Sequence, residues 1–214
     1  MRINEIFLSI SGECGMFKQG EWCMFLRLDG CNLRCPYCDT KRSLIGKGVK
    51  MSIAKVMMEL VKKGLTSQTN NLLITGGEPL LQQEELEPLC YLLASNGIRI
   101  QIETNGTIIP SQRLADLVTC WVFDYKSKQS FQRGIFNLAK DSYREFWIKY
   151  PITNIRDYYV AKTEVKNHPS INHAFSAIAP GMTHNELFQR MKKDKLSNVI
   201  LNAQLHKLTA LKEC

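Results

Sequence analysis

"NLLITGGEPLLQQEELEPLCYLLASNGIRIQIET", residues 71–104, reads as one complete strand–helix–strand unit. "NLLIT" is a short apolar run that stops at Gly76-Gly77, the length and punctuation of a buried strand. The stretch 81–97 then predicts a helix with an Asn96-Gly97 exit. "IRIQIET", 98–104, predicts a second strand. A strand followed by a helix and another strand is the building unit of a parallel sheet.

The alternation continues in both directions. Upstream, 3–10 and 22–28 predict strands, and "MSIAKVMMELVKKG", 51–64, a helix. That helix has Met51, Ala54, Met58 and Val61 at helical spacing, a Ser52 start and a Gly64 stop. Downstream, helices are predicted over 111–118, 154–167 and 183–195, and strands over 120–126, 146–152, 173–179 and 198–206. No repeat or linker interrupts the series, so residues 1–214 read as a single domain. The units are too few for an eight-fold barrel. The expected fold class is α/β, a partial, open, TIM-like β/α barrel. In such sheets chemistry gathers at the C-terminal ends of strands. Thr75–Glu78, Glu103–Gly106, Asp124–Lys128, and Gln204 with His206 all fall there.

Composition is that of an ordinary globular protein, 44% hydrophobic and 22% charged. No apolar run reaches membrane-spanning length, and the alternating N-terminus lacks a signal-peptide pattern. A cytoplasmic protein without a membrane partner is expected. The net charge of +8 comes from scattered lysines with no RRM or zinc-finger signature. A solvated basic surface is the expected reading, not a nucleic-acid site.

Three of the eight cysteines stand in "CNLRCPYCDT", 31–40, at C-x3-C-x2-C spacing. In a chain of cytosolic character such a cluster points to metal or catalysis rather than disulfides. A structural zinc site closes its tetrahedron with a fourth Cys or His, and Cys14 or Cys23 stand nearby in sequence to supply one. An iron–sulfur cluster on Cys31, Cys35 and Cys38 leaves one iron open to chelate a ligand. Cys90 and Cys120, in apolar contexts, read as inert packing residues.

The C-x3-C-x-aromatic-C pattern, with Tyr37 as the aromatic, resembles the signature of the radical S-adenosylmethionine (SAM) superfamily. "GGEP" about 40 residues downstream resembles the superfamily loop that holds the methionine end of the cofactor, and "IETNGT" the segment that flanks its ribose. Within the superfamily, residues 4–40, "WIKYPITNIRDYYVAK" and "LNAQLHKL" resemble the 7-carboxy-7-deazaguanine synthases. The resemblance implies contraction of 6-carboxy-5,6,7,8-tetrahydropterin to 7-carboxy-7-deazaguanine with loss of ammonia. It implies a 4Fe-4S cluster, SAM, Mg²⁺, a flavodoxin- or ferredoxin-type electron donor and a homodimer. A glycyl-radical activase and a non-catalytic metal-binding relative are the competing readings.

Residue by residue, the resemblance implies the cluster on Cys31, Cys35 and Cys38, and Mg²⁺ on Thr40. Thr40 also reads, on its own, as a helix N-cap. It implies cofactor contacts from Tyr37, Gly76, Gly77, Glu78, Glu103, Asn105, Asp124 and Lys126. Substrate contacts are implied for Ile10, Ser11, Gly12, Glu13, Arg27, Thr75, Gln204 and His206. The chain departs from the family pattern at Ser11, where a Gln is usual, and at Cys14, where a Gly is usual. "FDYKSK", 123–128, stands where many members have Ser-Pro-Lys.

Overall fold

A computed structural model describes residues 1–44, 46–205 and 207. Nine strands form one open sheet: β1 (Arg2–Ile10), β2 (Trp22–Leu28), β3 (Val49–Lys50), β4 (Asn71–Gly76), β5 (Arg99–Thr104), β6 (Cys120–Asp124), β7 (Glu145–Ile152), β8 (Asn172–Ala177) and β9 (Val199–Leu201). Their order is β3-β1-β2-β4-β5-β6-β7-β8-β9, and from β2 onward every neighbour is parallel. The helices are α1 (Ile53–Lys62), α2 (Gln83–Ser95), α3 (Gln112–Leu117), α4 (Gly134–Asp141), α5 (Ile155–Asn167) and α6 (His184–Lys193). Among the described residues no helix is long and apolar enough to cross a membrane.

The unclosed α/β architecture is the expected one, with three differences. The sheet is mixed, because β1 runs antiparallel to both β2 and β3. β1 reaches β2 through a turn with no crossover helix, and that connection suits an antiparallel pair. β3 and α4 were not expected; a two-residue strand is too short to show a period. β9 stops at Leu201 instead of running to 206. Its last rung is Asn202 N–H to the Phe175 carbonyl, 2.8 Å, after which the chain turns toward residue 12.

Helix starts follow the local chemistry. Ser52 caps α1 by accepting from Lys55 N–H. Thr183 and Glu186 form a reciprocal capping box on α6. Val56 and Leu60, one turn apart on α1, are both fully buried in the main core. Burying a side chain of that size contributes about 1.5–3 kcal/mol.

The two faces of the sheet differ. Leu72 and Ile74, Ile100 and Ile102, Trp121 and Phe123, and Phe146 and Ile148 belong to the main core with the helices. The intervening positions face the other way and change character along each strand. Cys23, Phe25 and Leu73 pack in one small apolar cluster, and Cys14, Cys120, Val122 and Ala174 in another. Two residues further along the same face stand Arg27 on β2, Thr75 on β4, Asp124 on β6 and Ser176 on β8. On β2, β4, β6 and β8 the period of two thus carries the strand from an apolar floor to a polar rim at its C-terminal end.

Candidate active site

The rim lines a cleft whose mouth is the cysteine loop. Its wall includes Arg27, Thr75, Glu103, Asp124, Lys149 and Ser176. Strand register sets them side by side: Arg27 opposite Thr75, Asp124 opposite Lys149, Pro151 opposite Ser176.

Cys31, Cys35 and Cys38 are half-buried and line the cleft. The loop is braced from within. Arg34 donates to the carbonyls of Cys31 at 2.7 Å and Leu33 at 2.8 Å, and Cys38 N–H donates to the Cys35 carbonyl at 3.1 Å. The Cys31 sulfur accepts from Leu33 N–H at 3.4 Å and from the Asn105 amide at 3.8 Å. Burial raises the Cys35 thiol from its ordinary value, with the Lys126 ammonium opposing.

Cys14 and Cys23 supply no fourth ligand. Both are buried in apolar clusters, burial pushes both thiols well up, and neither lines the cleft. Cys90 and Cys120 are buried as well. Among the described residues no three His, Cys, Asp or Glu side chains gather closely enough to hold a single metal ion. Three accessible thiols on one loop, without a closing fourth, fit a cluster with one open iron and not a structural zinc.

The two glycines at the end of β4, Gly76 and Gly77, serve the loop directly. A Cβ on Gly77 would lie 2.0 Å from the Gly30 carbonyl oxygen, and one on Gly76, at φ +139°, 2.2 Å from the Leu28 carbonyl oxygen. This close approach lets Gly77 N–H donate to Leu28 at 3.1 Å and Glu78 N–H to Gly30 at 2.8 Å. Gly30 N–H in turn donates to the Ser43 carbonyl at 2.7 Å. Both glycines also line the cleft.

Glu78, expected at the cofactor, does not line the cleft. It is 0% exposed, and its carboxylate accepts from the Thr104 hydroxyl at 2.7 Å, Asn105 N–H at 2.7 Å and Leu80 N–H at 2.9 Å. It staples the loop after β4 to the loop after β5. Asn105, which its carboxylate fixes, lines the cleft beside Cys31 and Asn32.

Thr40 lines the mouth. Its hydroxyl donates to Asp39 at 3.0 Å and accepts from Arg27 at 3.3 Å, while its carbonyl accepts from Ser43 N–H at 3.0 Å as the short helical turn Lys41–Leu44 begins. Arg27 is 6% exposed, lies over the Phe7 ring at 5.5 Å and pairs with Glu5 at 3.3 Å. Burial lowers its pKa, with Glu5 opposing. Of the turn after β1, Gly12 and Glu13 line the cleft. Ile10 and Ser11 do not; the Ser11 hydroxyl donates to the Phe17 carbonyl at 3.4 Å. His206 lies outside the described residues.

The inner end of the cleft is a charge network. Lys149 meets Glu13 at 2.6 Å and Asp124 at 3.2 Å. Glu13 also accepts from the amides of Gln204 at 3.0 Å and Asn202 at 3.2 Å. Asp124 holds Lys126 at 2.9 Å, and that ammonium stands 5.6 Å from the centre of the Tyr37 ring. Burial works against the charge on Glu13, but Lys149 and Gln204 prevail and hold its carboxyl at about 2. Glu103 accepts from the Thr75 hydroxyl at 3.2 Å. Burial, with Glu13 and Asp124 adding to it, pushes Glu103 up to about 7 against the pull of Lys149.

Lys149, Asn202 and Ser176 were not among the expected site residues. For Lys149 the signal was present: it is the one charged residue in the expected strand "FWIKYPI", between Ile148 and Tyr150.

Residues 26–122 match the family model of the radical SAM superfamily. The chain is 34% identical to the 7-carboxy-7-deazaguanine synthase of Methanospirillum hungatei JF-1, over 99% of this chain and 86% of that one. It is 31% identical to the enzyme of the same name from Clostridium acetobutylicum, over 97% and 95%. Its fold matches the crystal structure of QueE from Escherichia coli with a TM-score of 0.70, at 23% identity, over 94% of this chain and 92% of that one.

Proposed function

The chain belongs to the 7-carboxy-7-deazaguanine synthases of the radical SAM superfamily, and from that premise we propose that the cleft contracts 6-carboxy-5,6,7,8-tetrahydropterin to 7-carboxy-7-deazaguanine with loss of ammonia. One observation carries the reading: three half-exposed thiols line the same cleft as a buried arginine and a glutamate paired with a lysine.

Cys31, Cys35 and Cys38 would hold the cluster, with Tyr37, Gly76, Gly77, Asn105, Asp124 and Lys126 around SAM. When bound, the cluster and SAM supply hydrogen-atom abstraction. The residues bind and orient the substrate. Arg27, fixed by Phe7 and Glu5, receives a carboxylate. Glu13 stays ionised throughout the working range and accepts N–H groups from the pterin edge. Gly12, Thr75 and Gln204 complete that side. Ammonia needs a proton on the departing nitrogen, and Glu103, near 7, is poised to hold and deliver one. Thr40 and Asp39 offer oxygens for Mg²⁺, which takes few protein ligands plus substrate and water.

Two partners belong to the same proposal. Residues 31–50, which carry the thiols, hold five cations (Arg34, Lys41, Arg42, Lys47, Lys50) against one anion, Asp39. The resulting +4 is half of the chain's net +8, a surface suited to an acidic one-electron carrier of flavodoxin or ferredoxin type. A second copy of the chain is the other partner. Exposed Tyr159 on α5, Phe188 on α6 and Ile200 on β9 supply apolar surface for it.

The test is an anaerobic reaction of the cluster-loaded protein with SAM, Mg²⁺, reductant and 6-carboxytetrahydropterin, followed by mass spectrometry. 7-Carboxy-7-deazaguanine should form and vanish with Cys35→Ala. 5′-Deoxyadenosine without the deazaguanine would leave the radical machinery and overturn the substrate.

A further inference from the structure

We propose that Lys149 is a positioning residue that ties the substrate half of the cleft to its cofactor half, so that the two ligands bind cooperatively. The inference rests on the function proposed above.

Lys149 lies on β7 and is only 6% exposed, so its charge needs partners. It has two, and they come from separate parts of the chain. Glu13 belongs to the turn after β1 and is gripped from behind by Asn202 and Gln204, beyond β9. Asp124 ends β6, and its other oxygen holds Lys126, which stands over Tyr37 of the cysteine motif. An unbroken chain of polar contacts runs from Gln204 through Glu13, Lys149, Asp124 and Lys126 to Tyr37. Lys149 is the link at which its two halves meet.

The side-chain type matters. An ammonium carries three donors around a point charge and can be shared between carboxylates on separate elements. A guanidinium fork is built to grip one carboxylate with two parallel bonds. Without Lys149, Glu13, Asp124 and Glu103 would surround the inner cleft with Lys126 as the remaining cation of the network. Their repulsion would move the turn after β1 away from the end of β6.

Sharing also makes coupling. A ligand whose N–H groups engage Glu13 releases part of the hold on Lys149. The ammonium then bears more fully on Asp124, which fixes Lys126 and Tyr37. By linkage, a ligand that orders Lys126 and Tyr37 must in turn favour binding at Glu13 by the same factor.

The test is calorimetric titration of the cluster-loaded protein without reductant, so that nothing turns over. SAM affinity is measured with and without 6-carboxytetrahydropterin, and the pterin with and without SAM. In the wild type each ligand should tighten the other on the order of ten-fold. In Lys149→Met the factor should fall to about one, and Lys149→Arg should restore part of it. A merely structural role would lower stability and leave the factor in place, which would overturn the proposal. So would a wild type that binds both ligands independently, whether or not the variants fold. Failure of the wild type to bind the pterin at all would instead remove the substrate reading on which the inference stands.

Discussion

Replacing Glu78 with Gln should destabilise the protein before any cofactor is bound. The carboxylate receives three buried donors at 2.7, 2.7 and 2.9 Å. An amide keeps one oxygen, enough for Leu80 N–H and the Thr104 hydroxyl, which share Oε1. Its NH₂ then faces Asn105 N–H, donor against donor. A hydrogen bond to a charged group contributes about 1.5–3 kcal/mol, and an orphaned buried donor costs about 1–3 kcal/mol. Because the two overlap, the expected loss is about 2–4 kcal/mol. At about 2–4 °C per kcal/mol for a chain of this size, the unfolding midpoint should fall on the order of 10 °C. The assay is thermal unfolding of the cluster-free protein at pH 8. Burial raises the Glu78 carboxyl while the bonds from Asn105 and Thr104 oppose. A carboxylate that serves only a ligand would leave the cluster-free midpoint unmoved. An unchanged midpoint together with a large loss of SAM affinity would therefore refute the staple.

Cys35→Ala should reduce iron and sulfide to background while the far-UV spectrum stays unchanged, because this thiol is half-exposed and packs in no apolar cluster. Gly77→Ala drives a methyl into the Gly30 and Ser43 carbonyls, 2.0 and 2.8 Å away, and both are backbone. It should cost about 1–3 kcal/mol and lower the iron bound per chain, read by thermal unfolding and iron analysis. Glu103 should make the free protein less stable as pH rises from 4.5 to 7, since its folded pKa is about 7 against an ordinary 4.5. The folded state holds the proton longer, so stability is lost as that proton leaves. Glu103→Gln should flatten this part of the pH–stability curve, and an unchanged slope would show that another group titrates there.

Spacing made the grouping of Cys31, Cys35 and Cys38 on one loop legible, and burial was legible for Cys90 and Cys120, whose neighbours are apolar. The inward hydrogen bonding of Glu78 was not legible, because a carboxylate in a glycine loop has the same local signature whether it meets a ligand or three backbone and hydroxyl donors. The donors that decide it, Thr104 and Asn105, lie 26 and 27 residues away. Lys149 was overlooked for a related reason. Its neighbours read as strand, but its partners stand 136 residues upstream at Glu13 and on β6 at Asp124. The end of β9 was overrun because "NAQLH" continues an alternating pattern, while the chain leaves the sheet to place Gln204 and Asn202 on Glu13. Periodicity reports a strand's faces; it carries no information about where a tertiary partner draws the strand away.

From β4 onward each strand pairs with the next in sequence, so the sheet can extend rung by rung with short loop closures. The inner end of the cleft obeys a different rule. Cys14 N–H meets Asn202 across 188 residues, and Gln204 meets Glu13 across 191. Contacts of that separation carry the largest entropy of closure and wait for the residues that follow β9. A nascent chain that has produced β8 already has most of its sheet, while the turn at Glu13 still lacks the amides that fix it. The turn at Glu13 therefore becomes fixed only after β9 has joined the sheet.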